Sequence, residues 1–243
     1  RGDLNARLPR HGSEDDLDHI AAMVNRTLDH LQSVVRTLKQ VTSDIAHDLK
    51  SPIGRALQKL DSLREADLPS PLAEKVTDAS SDLKGSVDTF EALLRIAEIE
   101  GGARKARFAP LDLKPLLINV VDILDVVAGD AGQVLIAKCD QTPSCRVLGD
   151  RELLTQAFIN LIENAIRHCP YGSRIKVALA QNDGSAVVTV SDNGPGIPAE
   201  EHTRVFERHY RLEKSRTTPG TGLGLSLVAA IADLHDARIR KPR

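Results

Sequence analysis

Aromatic side chains are scarce in this chain: four Phe, two Tyr and no Trp among 243 residues. Five of those six lie beyond residue 105, leaving Phe90 alone before it. A first part so poor in rings but rich in Leu, Ala, Ile and Val suits a helical bundle better than a sheet core. Cysteine is scarce too. Cys139, Cys145 and Cys169 are odd in number and form no CxxC pair, which argues against a disulfide scaffold or a zinc site and for a reducing compartment. No apolar run approaches the roughly 18–20 residues of a membrane span. Nor does one sign of charge dominate. The chain carries 32 basic and 34 acidic residues, divided 15 against 18 up to residue 105 and 17 against 16 beyond it. Neither part is a basic nucleic-acid surface or an acidic tail. The chain begins at Arg1 without Met or signal peptide and is expected to be a piece of something longer.

What is present first is a long apolar stripe. Leu17, Ile20, Val24, Leu28, Leu31, Val35, Leu38, Val41, Ile45 and Leu49 follow in steps of three or four. Nine steps span 32 residues, a mean near 3.6, which is the period of one helix face. A lone helix cannot bury such a narrow stripe, so it requires a coiled coil or bundle partner. The pattern continues to about Arg64. Ala66 to Pro71 reads as a turn, with Ser70 as a cap and Pro71 at the first helical position. A second periodic segment then runs from Leu72 to Ala97, and Gly101-Gly102 ends it. This is a helical hairpin, and two copies make a four-helix bundle.

Past Gly102 the texture changes to α+β, with the domain boundary at Gly101 to Lys105. Helical patterns at about 113–128, 151–168 and 223–235 alternate with β-rich runs at 134–137, 174–180 and 186–191. Asp150 is a good N-cap, and Asn182-Asp183-Gly184 is a hairpin turn signal. Residues 194–222 form a long polar loop, of the length that invites a functional role.

Four groups of residues carry chemistry. His47 falls out of phase with the buried Ile45 and Leu49, with Asp48 directly after it, and Pro52 follows inside the helix. A solvent-reachable neutral imidazole beside a carboxylate can be a nucleophile, although it can equally be an ordinary surface histidine. Asn160, Glu163, Asn164, Arg167 and His168 share one helix face. Two amide carbonyls, a carboxylate and an arginine there suit hydrated Mg²⁺ and phosphates. Asp192 ends a strand before Gly194 and Gly196, where it can accept from an exocyclic amine while the glycines let a ligand approach. Gly220-Thr221-Gly222-Leu223-Gly224 enters an apolar helix, an arrangement that cradles phosphate. Singly each is weak; in this order within one α+β domain they are strong.

In this order the motifs resemble the cytoplasmic part of a bacterial membrane-bound sensor histidine kinase of a two-component system. His47 to Pro52 resembles the family's H box, Asn160 to His168 its N box, and Asp192 to Gly196 its first glycine box. Val205 to Arg211 resembles the F box and Gly220 to Gly224 the second glycine box. Residues 1–34 resemble the connector and second helix of a HAMP module. The resemblance implies a dimerisation and phosphotransfer hairpin at 35–101 and an ATP-binding sandwich of the histidine kinase/gyrase type at 102–243. It implies His47 as phosphoacceptor and Asp48 as its acid/base partner. Asn164, with Asn160 beside it, would hold Mg²⁺, Arg167 and His168 would face phosphate, Asp192 would contact adenine, and about 197–222 would be the lid over ATP. ATP, Mg²⁺, a second copy of the chain and a response regulator receiver domain are the implied cofactors and partners, with no nucleic acid. The place implied is the cytoplasmic side of a protein anchored in the inner membrane. Ser51 stands where the family commonly has Thr or Asn, implicated in phosphatase activity, and Asp236 where it commonly has Gly. His209 and Pro219 are unusual at their places. The basic run Arg204, Arg208, Arg211, Lys214 and Arg216 reads as a solvated lid or a phosphate contact. Alternatives are a regulator phosphatase or nucleotide-gated scaffold without kinase activity, and an ATPase related in fold to DNA gyrase.

Overall fold

The computed structural model describes residues 6–9, 16–64, 69–100, 107–139, 144–182, 184–208, 210–211 and 221–240, with side chains at 35–36, 38–50, 64 and 100 outside that description. Five α-helices and five strands follow one another among these residues: α1 (Asp16–Arg64), α2 (Ser70–Glu100), β1 (Ala109–Asp112), α3 (Leu113–Asp130), β2 (Val134–Lys138), β3 (Arg146–Gly149), α4 (Arg151–His168), β4 (Arg174–Asn182), β5 (Ser185–Asp192) and α5 (Gly224–Leu234). The α+β class follows. The chain divides into two compact units, residues 1–59 and 60–243.

In the first unit, the periodic pattern gives one continuous helix that contains Pro52. Leu17, Ile20, Met23, Leu31 and Val34 are exposed along it, while Ala21 and Asp18 are buried. The segment before α1 is strapped to it. The Asn25 side chain accepts from the Leu8 N–H at 2.9 Å and donates to the Leu8 carbonyl at 3.0 Å. Arg7 donates to Asp29 at 2.6 Å and to Gln32 at 2.7 Å.

In the second unit, the end of α1 meets α2 through Lys84 and Asp61, 3.7 Å apart. Helix α2 starts at Ser70 itself: the Pro69 carbonyl accepts from Leu72 and Ala73, so the cap falls one residue before the expected Ser70. The sheet is mixed. β2 pairs with β4 in parallel, Val134 opposite Arg174, and β4 pairs with β5 antiparallel across the expected turn, Asn182 opposite Ser185. Along β4 the period of two puts Ile175, Val177 and Leu179 inside and Arg174 and Lys176 outside. Against that face pack Leu117, Val120 and Leu124 of α3 with Phe158 and Ile162 of α4. Each such buried side chain stabilises the fold by about 1.5–3 kcal/mol.

Two short strands, β1 and β3, were not among the expected β-rich runs. They form a separate antiparallel pair, Ala109 opposite Gly149. Asp112 joins them to α3: its carboxylate accepts from the Lys114 N–H, the Cys145 N–H and the Ser144 hydroxyl. Those bonds, the hydroxyl's above all, hold the Asp112 carboxyl below the usual range. Asp150 caps α4 as expected, accepting from Glu152 and Leu153.

A second core lies beyond α4. Ile96 and Ile99 at the end of α2 pack with Leu153 and Ala157 of α4 and with Leu227, Val228 and Ile231 of α5. Although the sequence puts the boundary at residues 101–105, this core joins the second hairpin helix to the sheet-bearing unit. His235 closes the same region. It donates from Nδ1 to the Ile231 carbonyl at 2.8 Å, accepts at Nε2 from the Asp150 N–H at 3.0 Å, and stacks on Phe108.

Candidate functional site

One cleft of about 1890 Å³ opens between α2, the polar face of α4, the end of β5 and the start of α5. It exceeds the roughly 300–1,000 Å³ of a small-ligand pocket, so it has room for a ligand and for a polypeptide segment beside it.

Helix periodicity supplies the first wall. Asn160, Glu163, Asn164, Arg167 and His168 all line the cleft, while Leu153, Ala157, Phe158 and Ile162 turn to the cores. Antiparallel pairing with β4 carries β5 to Asp192, at the second wall. Asp192 accepts from the Gly194 N–H at 2.9 Å, which turns the chain toward Pro195 and Gly196. Gly196 and Gly222 have φ of +72° and +68°, backbone conformations that favour glycine.

The third wall is the entry to α5. Thr221, Gly222 and Gly224 line the cleft. The first N–H groups of a helix lack intrahelical acceptors and carry its positive end. Leu223 differs from its neighbours: its side chain is fully buried, and its N–H bonds to the Thr221 hydroxyl at 3.3 Å. Gly220, Pro219 and His209 lie outside the described residues, as do the side chains of His47 and Asp48, whose backbone is helical within α1. Ser51 is exposed on α1.

Electrostatics distinguish the members. Partial loss of hydration in the cleft pushes the Glu163 carboxyl up; Arg167 opposes this and Asp88 of α2 adds to it. Loss of hydration also pushes His168 down, helped by Arg167 and Arg211, which favours its neutral imidazole. A polyphosphate beside these three side chains would reverse the sign of the local field and favour a protonated His168. From the basic run, Arg211 and Arg204 line the cleft; Arg204 lies over the Tyr210 ring at 4.4 Å and 3.6 Å from Glu201. Tyr210 in turn donates to Glu201.

The donor set fits a magnesium nucleotide. Asn160, Asn164 and Glu163 offer hard oxygens, Arg167 and the α5 amides offer phosphate donors, and Asp192 offers an acceptor for an amine. Among the described residues, no cluster of three or more His, Cys, Asp or Glu could hold a metal ion.

The structure adds residues that sequence reasoning missed. Arg95 donates to Gln156 at 3.4 Å, Gln156 donates to Asn160 at 3.2 Å, and Asn160 donates to the Gly224 carbonyl at 3.4 Å. A chain of polar groups thus links α2 to two walls of the cleft. Gln156 precedes Asn160 by one helical turn, a spacing that could have flagged it; Arg95 carried no such signal. Cys169, which the sequence offers only as one of three cysteines without a CxxC partner, lines the cleft.

Comparisons with known proteins bear on the family and the fold. A family model described as histidine kinase-, DNA gyrase B-, and HSP90-like ATPase matches residues 149–242. The chain is 31% identical over 234 residues to the sensor-like histidine kinase SenX3 of Mycolicibacterium smegmatis, covering 94% of this chain and 59% of that protein. It is 28% identical over 245 residues to the signal transduction histidine-protein kinase BaeS of Escherichia coli, covering 98% and 50%. The chain therefore spans only half to about three-fifths of the length of these relatives. Among solved structures, full-length ShkA in complex with AMPPNP superposes with a TM-score of 0.65 at 21% identity, over 80% of this chain and 41% of that one. The histidine kinase AdeS of Acinetobacter baumannii gives 0.54 at 24% identity, over 77% and 86%. At these identities the structural likeness is one of fold.

Proposed function

Since the chain belongs to the sensor histidine kinases of bacterial two-component systems, we propose that it moves the γ-phosphoryl group of ATP to His47 and then to an aspartate of a response regulator receiver domain. The observation that carries this reading is the convergence of Asn160, Asn164, Arg167, Asp192 and Gly222 on one cleft. When bound, Mg²⁺-ATP supplies the phosphoryl group and a cation that offsets phosphate charge. Asn164 and Asn160 hold the metal, Arg167 and His168 bear on phosphate, and Asp192 accepts from the adenine amine. His47 forms the P–N bond as the bond to the ADP oxygen breaks, and Asp48 takes the imidazole proton. The protein's work is positioning and charge stabilisation.

On this reading two chains pair through the stripe of α1, because its exposed Leu17, Ile20, Val24 and Leu31 need a covering partner. Residues 1–34 serve as a partial HAMP module, 35–101 as the phosphotransfer hairpin and 102–243 as the ATP-binding domain. The parent protein is anchored in the inner membrane with this part on the cytoplasmic side.

Labelling with γ-labelled ATP tests the reading. The chain should gain acid-labile label, and His47→Gln should lose it entirely while still binding Mg²⁺-ATP. Steady ATP hydrolysis with no phosphoprotein would instead favour a gyrase-like ATPase. A second activity is proposed for Ser51, exposed one turn after His47 on the same face. Its hydroxyl would hold a water that attacks the regulator's aspartyl phosphate, less firmly than Thr or Asn would. Ser51→Ala should slow decay of phosphorylated regulator in the presence of ADP and leave autophosphorylation intact. Equal decay rates would leave Ser51 as helix surface.

A further inference from the structure

The residue that follows α4 is held from both sides of its backbone. The Cys169 N–H closes the last helical bond to Ala165 at 2.9 Å. Its carbonyl accepts at 2.7 Å from the amide of Gln133, a buried side chain that also reaches the Ile166 carbonyl at 3.0 Å. With the backbone fixed, the half-buried thiol faces the cleft next to the end of β5. It hydrogen-bonds to the Asp192 carboxylate.

Gly194 completes the arrangement. A Cβ added there would lie 2.6 Å from the Cys169 Sγ and 3.0 Å from the Asp192 Oδ1. The glycine is therefore required by contact rather than by backbone conformation, and any larger residue must displace the thiol or the carboxylate. Its N–H already donates to the same Oδ1. Two donors, one from sulfur and one from backbone, thus hold one carboxylate at the wall of the cleft. Burial first, then the bond to Asp192 and its charge, push the thiol up to about 11. It is an S–H donor throughout the neutral range.

We propose that Cys169 is a positioning residue that holds Asp192 as an acceptor for the exocyclic amine of a purine, and so sets the preference for a 6-amino over a 6-oxo ring. An ionised carboxylate has about four lone-pair sites, so two held donors leave it acceptor capacity for a ligand and none to give. A 6-amino purine donates to it, whereas the oxygen of a 6-oxo purine meets like charge. If the thiol bond is lost, the carboxylate rotates more freely and the discrimination falls. The proposal rests on the nucleotide reading of this cleft.

Calorimetric titration of the full chain with ATP and with ITP, both with Mg²⁺, separates the possibilities. Cys169→Ala should weaken ATP binding about three- to tenfold, the worth of one ordinary hydrogen bond, and barely change ITP binding. Cys169→Ser should restore the ratio, because a hydroxyl donates at least as well as a thiol. Gly194→Ala, which drives a methyl into the sulfur, should narrow the ratio as Cys169→Ala does. Unchanged ATP affinity in Cys169→Ala, or an equal loss for both nucleotides that Ser fails to rescue, would overturn the proposal. A wild-type chain that bound neither nucleotide would remove the cleft reading and the proposal with it. The pairing itself has a readout independent of nucleotide. Alkylation of Cys169, followed on its own peptide because Cys139 and Cys145 are buried, should rise with pH toward about 11. That profile should move to lower pH in Asp192→Asn; an unmoved profile would show that the thiol and carboxylate are not coupled.

Discussion

Helices α1 and α3 share the same kind of apolar periodicity and end in opposite situations. On α3, Leu113, Leu116, Leu117, Val120, Val121 and Leu124 are buried against β2, β4 and α4, so its apolar face is covered by its own chain. On α1, Leu17 is 75% and Ile20 57% exposed, although the periodic spacing there is just as regular. Period alone says where a helix runs and which face is apolar. Whether that face finds its cover within one chain depends on what the loops can bring to it. Eighteen residues of α3 fit under a sheet, whereas 49 residues of α1 exceed the length of any element here that could lie along them.

The contrast can be broken from the α1 side. Leu31→Glu places a charge in the open stripe of both copies of a dimer. Removing two Leu contacts at about 1.5–3 kcal/mol each should raise the dimer dissociation constant roughly a hundredfold or more. Sedimentation velocity reads this, and Mg²⁺-ATP binding should stay as it is. If the chain sediments identically before and after the change, the stripe is not the dimer contact.

From the other side, Asn164→Ala touches only the covered domain. If Asn164 holds Mg²⁺ as proposed, its loss should cost no less than the roughly 10–100-fold typical of outer-shell partners, seen as weaker Mg²⁺-ATP binding and slower labelling. Phosphoryl transfer from an already labelled His47 to the regulator should continue, and the dimer should persist. Intact Mg²⁺-ATP affinity would remove Asn164 from the metal's ligands.

The smallest effect sharpens the comparison within the covered domain. Asp236 has φ of +53°, the left-handed region, right after the end of α5 at the position where a C-terminal glycine normally sits. Asp236→Gly should stabilise the fold by about 0.5–1 kcal/mol, since the side chain's steric cost disappears. A denaturant midpoint that fails to rise would mean that the carboxylate makes up this cost through its own contacts.

These contrasts also explain what could be read from the sequence. α4 was legible from residue 151 to 168 because Asp150 caps it and its polar and apolar faces are cleanly separated. The β4–β5 hairpin was legible because alternation and an Asn-Asp-Gly turn coincide. β1 and β3 were not. Ala109-Pro-Leu-Asp and Arg146-Val-Leu-Gly are four residues each, too short to show a period, and they pair across 30 or more residues of intervening chain. Of the residues that line the cleft, those fixed by helix phase or by a strand end were legible: Asn160, Asn164, Arg167 and Asp192. Those that arrive from a distant element, Arg95 from α2, or from the first residue past a helix, Cys169, were not, because tertiary packing alone decides their neighbours.

The short core of Ile96 and Ile99 gives the cleft a mechanical character. The same helix end that supplies Asp88 and Arg95 to one wall is anchored by two isoleucines 1% and 4% exposed. Withdrawing that wall means bringing both into water, at about 3–6 kcal/mol. Thermal agitation alone would then hold the wall apart in fewer than about one molecule in a hundred. The cleft is therefore not a door that swings freely but a spring-loaded catch, and a force arriving along α2 would have to strip the isoleucines from α4 and α5 before that wall could withdraw.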